Sequence, residues 1–159
     1  MNNTKNNKIQ HLWTILANSS AVDIDSNSLS IFNIIEEINI QANGQNMDPK
    51  DKKGVPLPIE IISMWKRTDD SKEEIVSEIQ VSFFDPEDQF MQEINYKMEM
   101  KSQHQRMRLR LRANGINVTK QGNYYFSVKI KEGGKFKEVT QVPVVVKMST
   151  PVDFNILKK

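Results

Sequence analysis

The sequence predicts an all-β protein, a two-sheet antiparallel β-sandwich of about 7–8 strands with an Ig-like or C2-like arrangement and at most a short helical turn. Polar and apolar residues alternate with period two along most of the chain, and β-branched and aromatic residues fill the apolar positions. Turn residues recur every 8–12 positions, a spacing typical of sandwiches and barrels. No repeat or amphipathic helical segment competes with this interpretation.

In the first third of the chain, alternation at residues 12–17 predicts a strand. Residues 29–40 read as a second strand with a short helical or bulged interruption, because Ile31, Ile34, Ile35 and Ile38 fit a helical turn. Residues 41–58 contain two glycines and three prolines, so they predict a long loop without sustained secondary structure.

The rest of the chain predicts strands separated by short turns. Pro143 has no backbone N–H, so its strand is predicted to be an edge strand or to be bulged there. Gly133 and Gly134 predict a hairpin. The predicted strands cover residues 59–66, 75–83, 96–100, 106–112, 124–130 and 136–148.

These elements predict one domain over residues 9–148, with a disordered N-terminal tail at 1–8 and a loosely attached C-terminal tail at 149–159. The chain of 159 residues contains no cysteine, which excludes disulfides, zinc–thiolate sites and thiol nucleophiles. The first residues are polar and no apolar region follows them, so we expect neither a secretory signal nor a membrane span, and a cytoplasmic location.

Charge is unevenly distributed, although the formal net charge is only +2. Residues 60–100 carry eleven acidic and four basic side chains, whereas residues 101–137 carry ten basic side chains and one acidic. Such asymmetry indicates either a basic binding surface or two halves that lie against each other.

The most distinctive motif is a run of alternating arginines, Arg106, Arg108, Arg110 and Arg112. On a strand they share one face at intervals of roughly 6.6–6.8 Å. That interval is close to the spacing of phosphates along an extended nucleic-acid strand, about 6–7 Å, so a polyanion could lie along it. Tyr125 and Lys129, outward on the next predicted strand, would add a stacking surface and further charge.

The alternative interpretation of the same run is structural. Glu74, Glu78 and Glu99, on strands just upstream, are candidates to pair with the arginines across a sheet. Exposed strands commonly carry charge on their solvent face, and this favours the structural interpretation.

The sequence offers little material for catalysis, and we expect neither an enzyme nor a bound cofactor or metal. His11 and His104 are isolated from any known catalytic motif, and there is no nucleotide-binding glycine loop. The acidic segments around Asp69 and Asp85 flank one strand at opposite ends, so turn chemistry explains them better than a calcium site.

In the order of its motifs the chain resembles a group of uncharacterised bacterial proteins described only as a domain of unknown function. This resemblance spans about residues 12–148 and implies a small β-sandwich with no known activity. The long loop and the arginine run depart from it. The motifs are Ile15-Leu16-Ala17, the segment 29–35, Pro56-Leu57-Pro58-Ile59, Asp85-Pro86, the segment 121–128 and Val142-Pro143-Val144.

Two functions therefore remain open from the sequence. The first is a non-enzymatic module that binds a protein partner through sheet edges or loops. The second is a polyanion or single-stranded nucleic-acid binder that uses the arginine run. They differ in whether the arginine face points into solvent or is paired with carboxylates.

Overall fold

The computed structural model describes residues 8–41, 54–55 and 57–149 of the chain, and these form an all-β structure without a helix. The strands are β1 (Ile9–Val22), β2 (Leu29–Ile34), β3 (Glu37–Gln41), β4 (Gly54–Val55), β5 (Ile59–Arg67), β6 (Ile75–Phe84), β7 (Phe90–Met100), β8 (Arg106–Ala113), β9 (Ile116–Asn117), β10 (Gly122–Glu132) and β11 (Lys135–Ser149).

Nine of these strands form two sheets, and β4 and β9 make a separate two-stranded pair. One sheet has four strands in the order β2-β1-β5-β8, and the other has five in the order β3-β11-β10-β6-β7. The all-β prediction is confirmed. The predicted number of 7–8 strands was too low, partly because the segment predicted as one strand over residues 29–40 forms two.

That interruption is neither a helical turn nor a simple bulge, because the chain crosses there from one sheet to the other. The Ile35 N–H donates to Leu16 O of β1 (2.8 Å), whereas the next carbonyl, Glu36 O, accepts from Val145 N of β11 (3.0 Å). Ile35 itself is buried. The following strand, β3, runs parallel to β11, so the prediction of purely antiparallel sheets was wrong at this pair.

Residues from both sheets contribute to one hydrophobic cluster, and this fixes which face of each strand points inward. Along β5 and β8 the inward positions are the odd-numbered ones, and on β10 they are the even-numbered ones. Trp65 is fully buried and donates from Nε1 to Ser63 Oγ at 2.8 Å, so its one polar atom is satisfied. Even-numbered side chains of β5 and β8 consequently lie on the outer face of the four-stranded sheet.

Several sequence predictions about strand limits and segment ends can be compared with the structure. The predicted strand at residues 96–100 is longer, because β7 begins at Phe90. Pro143 pairs with Tyr125 in a strand between two neighbours, but β3 joins β11 only from Val145 onward, so Pro143 lies where that side has no strand in the described part of the chain. The predicted tails lie outside the described residues except for Lys8 and Ser149, and Ser149 is the last residue of β11. Most of the predicted 41–58 loop also lies outside, but Gln41 ends β3 and Gly54–Val55 forms the two-residue strand β4.

Candidate functional site

The four arginines share the outer face of β8, at one end of the four-stranded sheet. They stand there because Leu109, Leu111 and Ala113 alternate with them and are buried against the core. Their cross-strand partners on β5, in chain order from Arg106 to Arg112, are Lys66, Met64, Ile62 and Glu60. The sequence prediction of one arginine face is therefore correct, and two of its four neighbours on β5, Met64 and Ile62, are apolar.

A hairpin arm, residues 18–28, covers part of this face. β1 pairs with β5 only as far as Ala17, and beyond that point it pairs with β2 alone. Arg110 Nη2 donates to Ser20 O at 2.8 Å, and Arg108 Nη2 donates to Asn27 O at 2.9 Å and also to Asn27 Oδ1. Two of the four arginines thus fasten the arm to the sheet.

Glu60 is the carboxylate that Arg110 and Arg112 contact, and only 3% of it is exposed. Arg112 Nε donates to Glu60 Oε1 at 2.7 Å, Arg110 Nη2 lies 3.3 Å from the same oxygen, and Ser20 Oγ donates to Oε2. Burial alone raises the pKa of Glu60, but the hydrogen bonds from Ser20, Arg112 and Arg110 outweigh it and leave the pKa below its ordinary value. The carboxylate is therefore held in its charged form.

The partners that the sequence suggested for the arginines were wrong. Glu78 and Glu99 lie on β6 and β7, in the other sheet, and pair there with Lys131 (2.7 Å) and Lys97 (2.6 Å). Glu74 is exposed just before β6. The structural interpretation of the arginine run is supported for Arg110 and Arg112, but by a residue on the adjacent strand β5.

Tyr125 and Lys129 do not join the arginines, because β10 belongs to the five-stranded sheet. The Tyr125 ring stacks on Phe84, with centroids 5.0 Å apart, and its hydroxyl donates to Asp88 Oδ1 at 3.1 Å. Lys129 Nζ lies 5.9 Å from the centroid of the same Phe84 ring. The six residues predicted as one polyanion site are therefore divided between two sheets.

A fifth arginine, Arg67 at the end of β5, is only 2% exposed. Its guanidinium donates to the backbone carbonyls of Ser71 (2.6 Å), Glu73 (2.7 Å) and Met100 (3.1 Å), and it is 3.2 Å from Asp69 Oδ1. Sequence reasoning gave Arg67 no role, since nothing in its neighbourhood signals burial. It fixes the connection between β5 and β6 and ties it to the end of β7.

β2 differs in charge from the other three edge strands of the two sheets, β3, β7 and β8. β3 carries Glu37, β7 carries two glutamates and a lysine, and β8 carries four arginines, whereas β2 reads Leu-Ser-Ile-Phe-Asn-Ile with no charge. Two of its large apolar side chains face solvent, Phe32 at 48% and Ile34 at 59% exposure. Because Ile34 lies opposite Ala17, it shares a face with Ile15, which extends the apolar surface onto β1.

The two histidines have different surroundings. His11 Nε2 is 2.7 Å from Thr14 Oγ1, its ring packs edge-on against Trp65, and burial lowers its pKa more than the hydrogen bond involving the Trp13 backbone raises it. His104 is exposed in a turn. Among the described residues no group of three or more acidic or histidine side chains is placed to hold a metal ion, and no helix is long and apolar enough to cross a membrane.

Asp85 is buried, and its environment explains why. Its Oδ1 accepts from the backbone N–H groups of Glu87 and Gln89, each at 2.8 Å, and Lys120 Nζ lies 3.5 Å from Oδ2. Burial raises the pKa of Asp85, but these donors and the lysine outweigh it and lower the pKa overall. The predicted turn chemistry therefore describes this acidic segment.

Comparison with known proteins gives a fold relationship only. No protein-family model matches the chain, and no curated protein matches it. Among solved structures, the crystal structure of the C-terminal domain of Wzt matches with a TM-score of 0.51. The match covers 89% of this chain and 75% of that one at 7% sequence identity, so it shows similar architecture and nothing about activity.

Proposed function

We propose that the protein is a non-enzymatic β-sandwich module, Ig-like or C2-like, that binds a protein partner in the bacterial cytoplasm. The observation that carries the proposal is the β2 edge, an uncharged strand at the end of a sheet with Phe32 and Ile34 exposed. The hydrophobic cluster to which both sheets contribute supports the sandwich. The absence of cysteine agrees with a reducing compartment.

The physical reason is that a strand at the end of a sheet offers unpaired backbone N–H and C=O groups. Proteins usually protect such strands with charged side chains or proline, because an unprotected edge pairs with other chains. β3, β7 and β8 carry charges, and β2 has neither a charge nor a proline. An extended segment of a partner would pair with β2 through main-chain hydrogen bonds and contact Phe32 with an apolar side chain.

A photo-crosslinking experiment tests this surface. Benzoylphenylalanine is placed at position 32 in the full chain, and crosslinked products formed in living source cells are identified by mass spectrometry. The matched control places the same residue at Phe90, which is 59% exposed on the charged edge strand β7. We expect a discrete protein adduct from position 32 and none of that mass from position 90. The proposal fails if the two positions give the same adducts or if position 32 gives none.

The alternative, a polyanion binder, has less support. Arg108 and Arg110 bind the hairpin arm, and Arg110 and Arg112 bind Glu60. Arg106 and Lys66 are the cations of this face without such a partner within the described part of the chain. Labelled single-stranded DNA or RNA that bound at low salt, and lost that binding when the four arginines were replaced, would favour the alternative.

A further inference from the structure

We propose that the partner at the β2 edge is a second copy of this chain, and this proposal rests on the proposed function. Two β2 strands would pair antiparallel across a two-fold axis perpendicular to the sheet, and the two four-stranded sheets would become one sheet of eight. Such an axis must place a residue opposite its own copy, and the structure points to Phe32 as that residue. Two-fold contacts in which the same patch meets itself are the commonest form of protein association.

Charge is the first argument for a second copy. When a strand pairs antiparallel with its own copy, its charges lie close to like charges. If β8 paired in this way, arginines would lie opposite arginines, which is destabilising. β2 has no charge to repel its copy. Glu36 and Glu37 follow the crossing to the other sheet, where Glu36 O accepts from Val145 N and Glu37 pairs with Lys147 at 2.5 Å, so neither carboxylate continues along the β2 edge. The flanking acids therefore do not oppose this register.

Apolar complementarity is the second argument. In this register the two Phe32 side chains face each other, and each Ile34 faces Ser30 of the other copy, which lies next to Phe32 on its strand. Phe32 and Ile34 are the two most exposed large apolar side chains of β2, at 48% and 59%. Pairing would reduce the exposure of both side chains on each copy, and aromatic pairs directly across strands stabilise a sheet more than an alanine pair does.

The short length of β2 limits the affinity that we expect for the dimer. β2 has six residues, so the contact is at the small end of specific interfaces, which bury about 1,200–2,000 Å² in total. We therefore expect a dimer that dissociates on dilution. Sedimentation equilibrium of the full chain from about 1 to 500 µM should show a monomer–dimer equilibrium.

Disulfide trapping tests the register, since the chain has no cysteine of its own. Directly opposite Cβ atoms are about 4.5–5.5 Å apart in an antiparallel pair, which a disulfide bridges with small adjustment. We expect Phe32→Cys to give a covalent dimer under mild oxidation, and the control Phe90→Cys to remain mostly monomeric. Phe32→Lys should weaken the sedimenting dimer at least tenfold, and Phe90→Lys should leave it unchanged.

The outcomes separate this inference from the proposed function. A chain that stays monomeric to 500 µM, or a dimer that Phe32→Lys does not weaken, overturns the second copy as partner. A dimer that Phe32→Cys does not trap overturns the register. If the chain is monomeric but benzoylphenylalanine at position 32 captures a different protein, the inference fails while the proposed function stands. Circular dichroism of each variant verifies folding.

Discussion

The two edge strands of the four-stranded sheet, β8 and β2, differ in whether their side chains carry charge. β8 carries four charges, and the hairpin arm and Glu60 take up three of those guanidiniums, so most of this charge stabilises the protein itself. β2 carries no charge and exposes Phe32 and Ile34. The comparison shows that a run of charged residues can serve the fold itself. The edge strand without charges, β2, is the one that exposes large apolar side chains.

Of the changes proposed here, replacing an arginine of β8 should lower the free energy of unfolding the most. Arg110→Met removes the donor to Ser20 O and one of the two arginine contacts of the buried Glu60. A hydrogen bond to a charged group contributes about 1.5–3 kcal/mol, and an unsatisfied buried acceptor costs a similar amount. We expect the free energy of unfolding to fall by about 2 kcal/mol, measured by urea denaturation.

The matched control is Arg106→Met, the same change on the same face of the same strand. Arg106 is exposed and lies opposite Lys66, so its loss removes a like-charge pair and should change stability by less than about 0.5 kcal/mol. Equal losses from both variants would show that Arg110 does not fasten the arm.

A pH series sharpens the role of Glu60. Its folded-state pKa lies below the ordinary 4.5, so its charge stabilises the protein above that pH, and the stabilisation is lost as pH falls from about 4.5 through the folded pKa. Glu60→Gln should be less stable than wild type by about 1–2 kcal/mol at pH 7. The difference should shrink steadily in denaturation curves recorded between pH 5 and pH 3.

Glu74→Gln serves as the control, since this carboxylate is exposed just before β6. It should differ little from wild type at pH 7. A gap between wild type and Glu60→Gln that stayed constant down to pH 3 would contradict the assignment of the acid-labile interaction to Glu60.

The sequence predicted what depends on neighbouring residues and missed what depends on distant ones. Alternation placed the four arginines on one face, and turn residues located the bend at Asp85. Alternation does not determine which strand lies alongside, so Glu60 was overlooked as the partner and Tyr125 was placed beside the arginines. The sheet crossing at Ile35 and the burial of Arg67 likewise arise from contacts with residues far along the chain.

The smallest expected effect, that of Asn33→Gly, concerns how β2 ends. Asn33 has a φ of 54°, a left-handed conformation that asparagine tolerates and β-branched residues do not. This twist lets the chain leave the edge after Ile34 and cross to β3, so backbone conformation rather than charge limits the length of the open strand. Asn33→Gly should change the free energy of unfolding by only a few tenths of a kcal/mol, and Asn33→Val should lower it by about 1–2 kcal/mol. Thermal denaturation distinguishes them, and equal stability of the two variants would mean that the left-handed backbone at this position is not required.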